Sequence, residues 1–185
     1  MEKTVKGMFL KNIVDSVMRE KGPEGLAALK NDIGAIHYYG IKNYPLDEEV
    51  RLQHAAMKLL YGGVSNEHYR EFGTLQWDLY VGSVIGKTMM SLFKNDILRL
   101  ALKVADVLNT VSDGFEITAK ETSPTSVTIM LANIPYPIEY YEGVWFGALE
   151  YFKQSNAIKD GKIVSRTIKT GTYEYDLSWE FATAQ

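Results

Sequence analysis

The feature that most constrains this chain is a change in the spacing of its apolar residues near residue 113. Before that point apolar residues recur three or four positions apart, as Phe9, Ile13 and Val17 do, which predicts amphipathic helices. After it, apolar and polar residues alternate, most regularly over residues 173–179, which predicts strands with one buried and one solvated face. The chain is therefore expected to fold as a helical part followed by a part built on a sheet.

The order of these segments predicts an α+β fold. Helices are expected over residues 7–21, 47–62, 65–93, 97–111 and 138–155, with a short helix beginning at Pro23. β-Hairpins are expected on either side of the last helix, over residues 115–131 and 162–179. Two hairpins and a helix suit a four-stranded antiparallel sheet with helices packed on one face. We expect one ligand-binding domain over residues 1–185, with a helical part (1–112) and a sheet part (113–181).

Composition excludes several classes of protein. The chain is 46% hydrophobic and 23% charged, as folded domains are. Its net charge of −3 is spread without a basic cluster, so no nucleic-acid partner is expected. It contains no cysteine, which excludes disulfides and thiolate metal ligands. No apolar run reaches the roughly 20 residues of a membrane-spanning helix and no signal peptide is recognised, so a cytoplasmic location is expected.

No segment carries a recognisable catalytic motif. Residues 82–88 resemble a phosphate-binding loop, but one residue is missing between the glycines and the segment lies in a helical pattern. A glycine pair that lets another helix approach explains the same residues. The carboxylate pairs Glu48/Glu49 and Glu139/Glu142 lie at helix starts, where the helix dipole accounts for them. We therefore predict no catalytic residues and no enzyme activity.

The three histidines do not have the spacing of a metal site, so no metal is predicted. His54 is placed on the buried side of its helix, where it could bind a haem iron or donate to a backbone carbonyl. His37 precedes two tyrosines in an expected loop and could line a pocket. His68 lies in the first turn of a helix, where it could help to cap the helix.

Two further features suggest close packing and a pocket. Gly143 and Gly147 lie one turn apart in the last helix, which indicates that its backbone is pressed against the sheet, another helix or a ligand; we favour the sheet. Aromatic and methionine side chains are abundant, and a subset lining a cavity would suit a flat apolar ligand. The candidate pocket residues are His37, Tyr38, His54, Trp77, Tyr80, Met89, Tyr141 and Trp145.

Several strings resemble the haem–nitric oxide/oxygen-binding (H-NOX) domains. They are residues 6–9, the hairpin from Phe115 to Pro137, and the run from Tyr141 to Ala148. The closing strand, residues 172–179, resembles an uncharacterised bacterial family, known from myxobacterial paralogues, that is related to H-NOX and to vinyl-reductase-like ligand-binding domains. The resemblance implies a ligand cavity between a helical subdomain and an antiparallel sheet. It also implies a homodimer.

The departures from the H-NOX pattern concern haem. Haem-binding members have a proximal histidine in the helix before the first hairpin, and residues 97–111 contain none. Their Tyr-x-Ser-x-Arg motif corresponds here to Ile129–Asn133, which has no tyrosine, serine or arginine. The resemblance thus implies a non-catalytic sensor or adaptor domain for a hydrophobic small molecule or a protein partner, with no cofactor evident. The alternative is a haem or tetrapyrrole sensor whose iron is bound by His37 or His54 instead.

Overall fold

The chain forms a helical half followed by a half built on a sheet, described over residues 3–93 and 96–182 of a computed structural model. The elements in chain order are β1 (Thr4–Lys6), α1 (Gly7–Ile33), β2 (Asn43–Pro45), α2 (Leu46–Tyr61), α3 (Asn66–Gly82), α4 (Val84–Phe93), α5 (Ile97–Val111), β3 (Ser112–Asp113), β4 (Glu116–Ser123), β5 (Ser126–Ala132), α6 (Ile138–Gln154), β6 (Ile158–Lys169) and β7 (Thr172–Phe181). The α+β class and the positions of both hairpins agree with the sequence prediction.

The larger sheet has four strands in the order β4-β5-β7-β6, and every neighbouring pair is antiparallel. Its alternating residues separate as the sequence predicts. Val127, Ile129 and Leu131 are buried on the face that carries the helices, and they lie opposite Leu177, Tyr175 and Tyr173 of β7. The predicted four-stranded antiparallel sheet is confirmed.

A second, smaller sheet was not predicted. Its strands are only two or three residues long and lie in the order β2-β1-β3. Such short segments cannot show the alternation by which strands are recognised. The sheet joins the start of the chain to the segment before α2 and to the end of α5.

The long helix expected over residues 65–93 is two helices, so that prediction is wrong. α3 ends at Gly82 and α4 begins at Val84, because Ser83 adopts an extended backbone with φ −72° and ψ 163°. The Ser83 hydroxyl accepts a hydrogen bond from the Gly86 N–H at 3.0 Å. A β-carbon on Gly86 would lie 1.8 Å from the Tyr80 carbonyl oxygen. Residues 82–88 therefore form a tight helix junction.

The glycines of α6 lie against α3, which corrects the expectation that they pack on the sheet. A β-carbon on Gly143 would lie 1.9 Å from the Arg70 carbonyl oxygen, and one on Gly147 would lie 2.9 Å from the Trp77 ring. Gly73 of α3 makes the reciprocal contact, since its β-carbon would lie 2.0 Å from the Tyr140 carbonyl oxygen. Glycine on both helices brings the two backbones into direct contact.

The buried side chains of both halves form one hydrophobic core, in which Leu10, Phe72, Trp145 and Tyr175 are members. α6 lies between α3 and the sheet, and the hydroxyl of Tyr175 donates to the Ile138 carbonyl at 3.0 Å. Among the described residues, no helix is both long enough and apolar enough to cross a membrane.

Candidate ligand cavity

A cavity of about 240 Å³ lies between the helical half and the sheet half. Three helices of the first half form one wall. Its residues are Met8, Phe9 and Asn12 of α1, Gln76, Trp77 and Tyr80 of α3, and Val104, Val107 and Leu108 of α5. They recur three or four positions apart on each helix, so the helical period alone brings them to one face.

The opposite wall is largely aromatic. Residues at the start and along one face of α6 supply most of it, namely Tyr136, Tyr140, Tyr141, Val144 and Trp145, with Phe115 and Ile117 beside them. The ring of Tyr141 lies 6.4 Å from that of Trp145 and 6.5 Å from that of Tyr175, measured between centroids. These contacts anchor the wall to β7. Val5 and Ser112 of the small sheet and Glu49 of α2 complete the lining.

Glu49 is the one acidic residue among the described residues of the lining, and its environment is unusual. Its side chain is buried, with 5% of its surface exposed. The Tyr136 hydroxyl donates a hydrogen bond to Oε2. None of the ion pairs found in the described chain includes Glu49. Burial raises the pKa of Glu49 from 4.5 to about 8, because a charge without a cation is disfavoured out of water.

The pKa values of the tyrosines near Glu49 are also raised. Burial, with a smaller contribution from the charge of Glu49, raises the pKa of Tyr141 and of Tyr140 well above the ordinary value. Burial also raises the pKa of Tyr80. These phenols therefore stay protonated at any physiological pH and keep their hydrogen-bond donors.

Three buried N–H groups of lining residues have no hydrogen-bond partner within the described residues: Gln76 Nε2, Trp77 Nε1 and Trp145 Nε1. Buried donors of this kind are rare in folded proteins, since each costs its full desolvation. Buried polar atoms of Gln53 and Trp179, which do not line the cavity, are also without a partner among the described residues, so these groups are donors that a ligand could use and do not by themselves indicate one.

Four of the eight candidate pocket residues line this cavity: Trp77, Tyr80, Tyr141 and Trp145. The other four lie elsewhere. His54 Nε2 is 2.5 Å from the Tyr69 hydroxyl, whereas the rings of His37 and Tyr38 pack edge-on against Tyr39 and Tyr44. Met89 lies on α4. A role of any of the eight in ligand binding stays a prediction.

The position of Glu49 on α2 is a sequence signal of its burial. Leu46, Glu49, Leu52, Gln53 and Ala56 recur at helical spacing, and all five are buried. A glutamate on the apolar stripe of a helix requires more than the helix dipole to explain it.

Haem does not fit the residues of this cavity. Its iron takes an imidazole, a thiolate or a phenolate, or a thioether alongside a histidine. The described lining contains no histidine, and the high pKa of Tyr140 and Tyr141 opposes phenolate formation. It also contains no lysine or arginine that could pair with the propionates. No group of three potential metal ligands occurs among the described residues.

Comparison with known proteins identifies the fold. A family model described as a protein of unknown function (DUF2378) matches residues 1–180. A search of the curated proteins gives no match. Among solved structures, an oxygen-binding H-NOX domain related to soluble guanylate cyclases, in its oxygen complex, is similar with a TM-score of 0.69 and 15% identity, covering 97% of each chain.

Two other H-NOX structures resemble the chain to the same degree. A Cs H-NOX mutant carrying 4-cyano-L-phenylalanine gives a TM-score of 0.68 at 17% identity, over 97% of this chain and 99% of that chain. An unliganded Fe(II) H-NOX mutant from K. algicida gives 0.64 at 15% identity, over 96% and 98%. The chain therefore has the fold of H-NOX domains, as the resemblance in the sequence implied.

Proposed function

The chain belongs to DUF2378, a protein family of unknown function. From its H-NOX fold and its cavity we propose that it is a non-catalytic sensor or adaptor domain that binds a hydrophobic small molecule. The observation that carries this proposal is the cavity itself. It lies at the boundary of the two halves, its lining is aromatic and aliphatic, and a few polar groups converge on it. Small-molecule sites generally have this composition.

The size of the cavity limits the ligand. A buried apolar cavity of about 150 Å³ binds benzene. The cavity of about 240 Å³ therefore suits a larger molecule, with up to about three fused rings. Burying the apolar surface of such a molecule contributes about 25 cal/mol per Å² removed from water.

The position of the cavity supports a sensing role, because its ligand would contact both halves. α5 contributes Val104 and Leu108, and β4 contributes Ile117. These elements are tied together at Asn109, whose Nδ2 donates to the Ile117 carbonyl at 2.7 Å and whose Oδ1 accepts from the Ile117 N–H at 3.0 Å. A ligand that moved α5 would therefore move the edge of the sheet. We propose that this movement is reported through a homodimer or a protein partner.

Native mass spectrometry of the purified protein tests the proposal together with its haem alternative. We expect one small organic molecule retained per chain, or stoichiometric binding of the neutral fluorescent probe 1-aminoanthracene when no molecule is retained. Added haemin should give no Soret band that depends on His37 or His54. Neither retained molecule nor probe binding would contradict the proposal. A stoichiometric Soret band lost in His54→Ala or His37→Ala would favour the haem sensor.

A further inference from the structure

The described lining of the cavity places an acidic group among aromatic rings, and we propose that its ligand is a hydrophobic organic cation, whose ammonium group is held by the Glu49 carboxylate and the neighbouring tyrosines. This inference rests on the proposed binding function of the same cavity, and adds the charge and chemical class of the ligand.

The first argument is that Glu49 has a donor but no counter-ion. A buried carboxylate is normally paired with a cation and accepts several hydrogen bonds. In the described chain the Glu49 side chain accepts one hydrogen bond, from the neutral Tyr136 hydroxyl, and it takes part in none of the ion pairs. Because Glu49 lines the cavity, a positively charged ligand can supply the missing charge without reaching through the protein.

The second argument is the ring cluster beside Glu49. The Tyr136 and Tyr140 centroids are 4.8 Å apart, and those of Tyr140 and Tyr141 are 5.0 Å apart with the rings nearly perpendicular. Trp145 continues the cluster from Tyr141. The faces of aromatic rings attract cations. Because all four of these residues line the cavity, a cation bound there would lie beside their rings. The cluster and the carboxyl group therefore favour the same kind of ligand.

The third argument is that nothing in the described lining repels a cation. α3 contributes Tyr80 as its titratable side chain, and α6 with its preceding loop contributes Tyr136, Tyr140 and Tyr141. α1, α5 and the small sheet contribute apolar side chains with Asn12 and Ser112. With no lysine, arginine or histidine there, an anionic ligand would meet the carboxyl group without any compensating charge.

A proton competes with the cation for Glu49. Burial raises the pKa of the free carboxyl group to about 8, so below that pH the group is protonated before the cation binds. A permanently charged ligand must displace this proton, and its affinity should rise up to tenfold per pH unit until the pKa is passed. A neutral ligand of the same shape should show no such dependence.

Titration of the purified protein with phenyltrimethylammonium and its uncharged carbon analogue tert-butylbenzene tests the inference. At pH 8.5 we expect the wild-type protein to bind the cation at least tenfold more tightly than the analogue. At pH 6.5 the affinity for the cation should fall at least tenfold, with the affinity for tert-butylbenzene unchanged. Glu49→Gln should abolish both the preference and the pH dependence.

Asp47→Asn is the matched control, because it removes one negative charge from the same turn of α2 at an exposed position. It should behave as the wild type does. If tert-butylbenzene binds as tightly as the cation at both pH values and Glu49→Gln changes nothing, the inference is wrong while the cavity remains a binding site. If neither compound binds and 1-aminoanthracene also fails to bind, the proposed function is wrong as well.

Discussion

Glu49 has an environment that carboxyl groups in proteins rarely have. It is buried on α2 with a tyrosine hydroxyl as its hydrogen-bond donor, and burial raises its pKa to about 8. The unfolded chain would lose this proton near pH 4.5, its ordinary pKa. Between these values the folded chain holds a proton that the unfolded chain has released. The contribution of Glu49 to stability is therefore greatest below pH 4.5 and decreases as the pH rises toward 8.

Replacing Glu49 with glutamine should remove this loss of stability. Glutamine keeps an acceptor for Tyr136 and has no charge to desolvate. We expect Glu49→Gln to have a larger free energy of unfolding than the wild type. This difference between variant and wild type should be about 3 kcal/mol larger at pH 8 than at pH 5. Urea denaturation at the two pH values measures the difference, with Asp47→Asn as the control that should show none. A gain of the same size at both pH values would show that Glu49 does not titrate between them.

At the level of residues, the sequence predicted which aromatic residues line the cavity better than it predicted which polar residues do. Trp77, Tyr80, Tyr141 and Trp145 could be proposed because large aromatic side chains at helical spacing are buried, and they do line the cavity. Glu49 was missed because an acidic residue near a helix start has a sufficient explanation in the helix dipole. His37 and His54 were predicted to line the pocket because an imidazole can bind a ligand or a haem iron. Local spacing does not show which residues from other elements contact them in the folded chain.

At the level of elements, the contact between α3 and α6 sets the shape of the cavity. Gly73, Gly143 and Gly147 let the two helices touch through their backbones, and the Thr74 hydroxyl is 3.1 Å from the Gly143 carbonyl oxygen. The ion pair of Arg70 with Glu142 lies at the edge of the same contact. Because Trp77 and Trp145 project from these helices, a change in their separation changes the wall of the cavity.

Gly143→Ala should therefore force α3 and α6 apart. The added β-carbon would lie 1.9 Å from the Arg70 carbonyl oxygen, a backbone atom that cannot rotate away. We expect a loss of about 1–3 kcal/mol or more in the free energy of unfolding, as for other overpacked sites. Thermal or urea unfolding measures it.

Gly82→Ala is the matched control, because a β-carbon at this exposed helical position meets no atom within 4 Å. It should change the free energy of unfolding by less than about 1 kcal/mol. Equal effects of the two substitutions would mean that the helices are not in the close contact described.

Some helices and strands could be predicted from the sequence and others could not, for physical reasons. Helical and alternating periods located α2, α5, α6 and both hairpins, since each of these is long enough to repeat its pattern. The break at Ser83 was missed because the apolar spacing continues through it, and that spacing does not show the extended backbone of Ser83 or the close approach of Gly86 to Tyr80 across the junction. The contacts of Gly143 with α3 depend on the orientation of α6, and no local sequence pattern predicts that orientation.

At the level of the molecule, a scaffold shared with H-NOX domains encloses a cavity with different chemistry. The fold places a cavity between the helices and the sheet, whereas its lining decides what can bind there. Here the described lining has no imidazole and no propionate-binding cation, but has a protonated carboxyl group and several phenols. The absence of a histidine from residues 97–111 was evident from the sequence. The environment of Glu49 depends on Tyr136, which lies 87 positions further along the chain, and no local sequence pattern predicts that contact.

The most direct test of the account is to fill the cavity and measure binding. Val104 lies in the lining on α5, and its neighbour Lys103 is exposed on the same helix. Titration with 1-aminoanthracene should show that Val104→Trp weakens binding at least tenfold, because the indole occupies the space, while Lys103→Trp binds as the wild type does. Unchanged binding in a folded Val104→Trp protein would contradict the claim that this cavity is the ligand site.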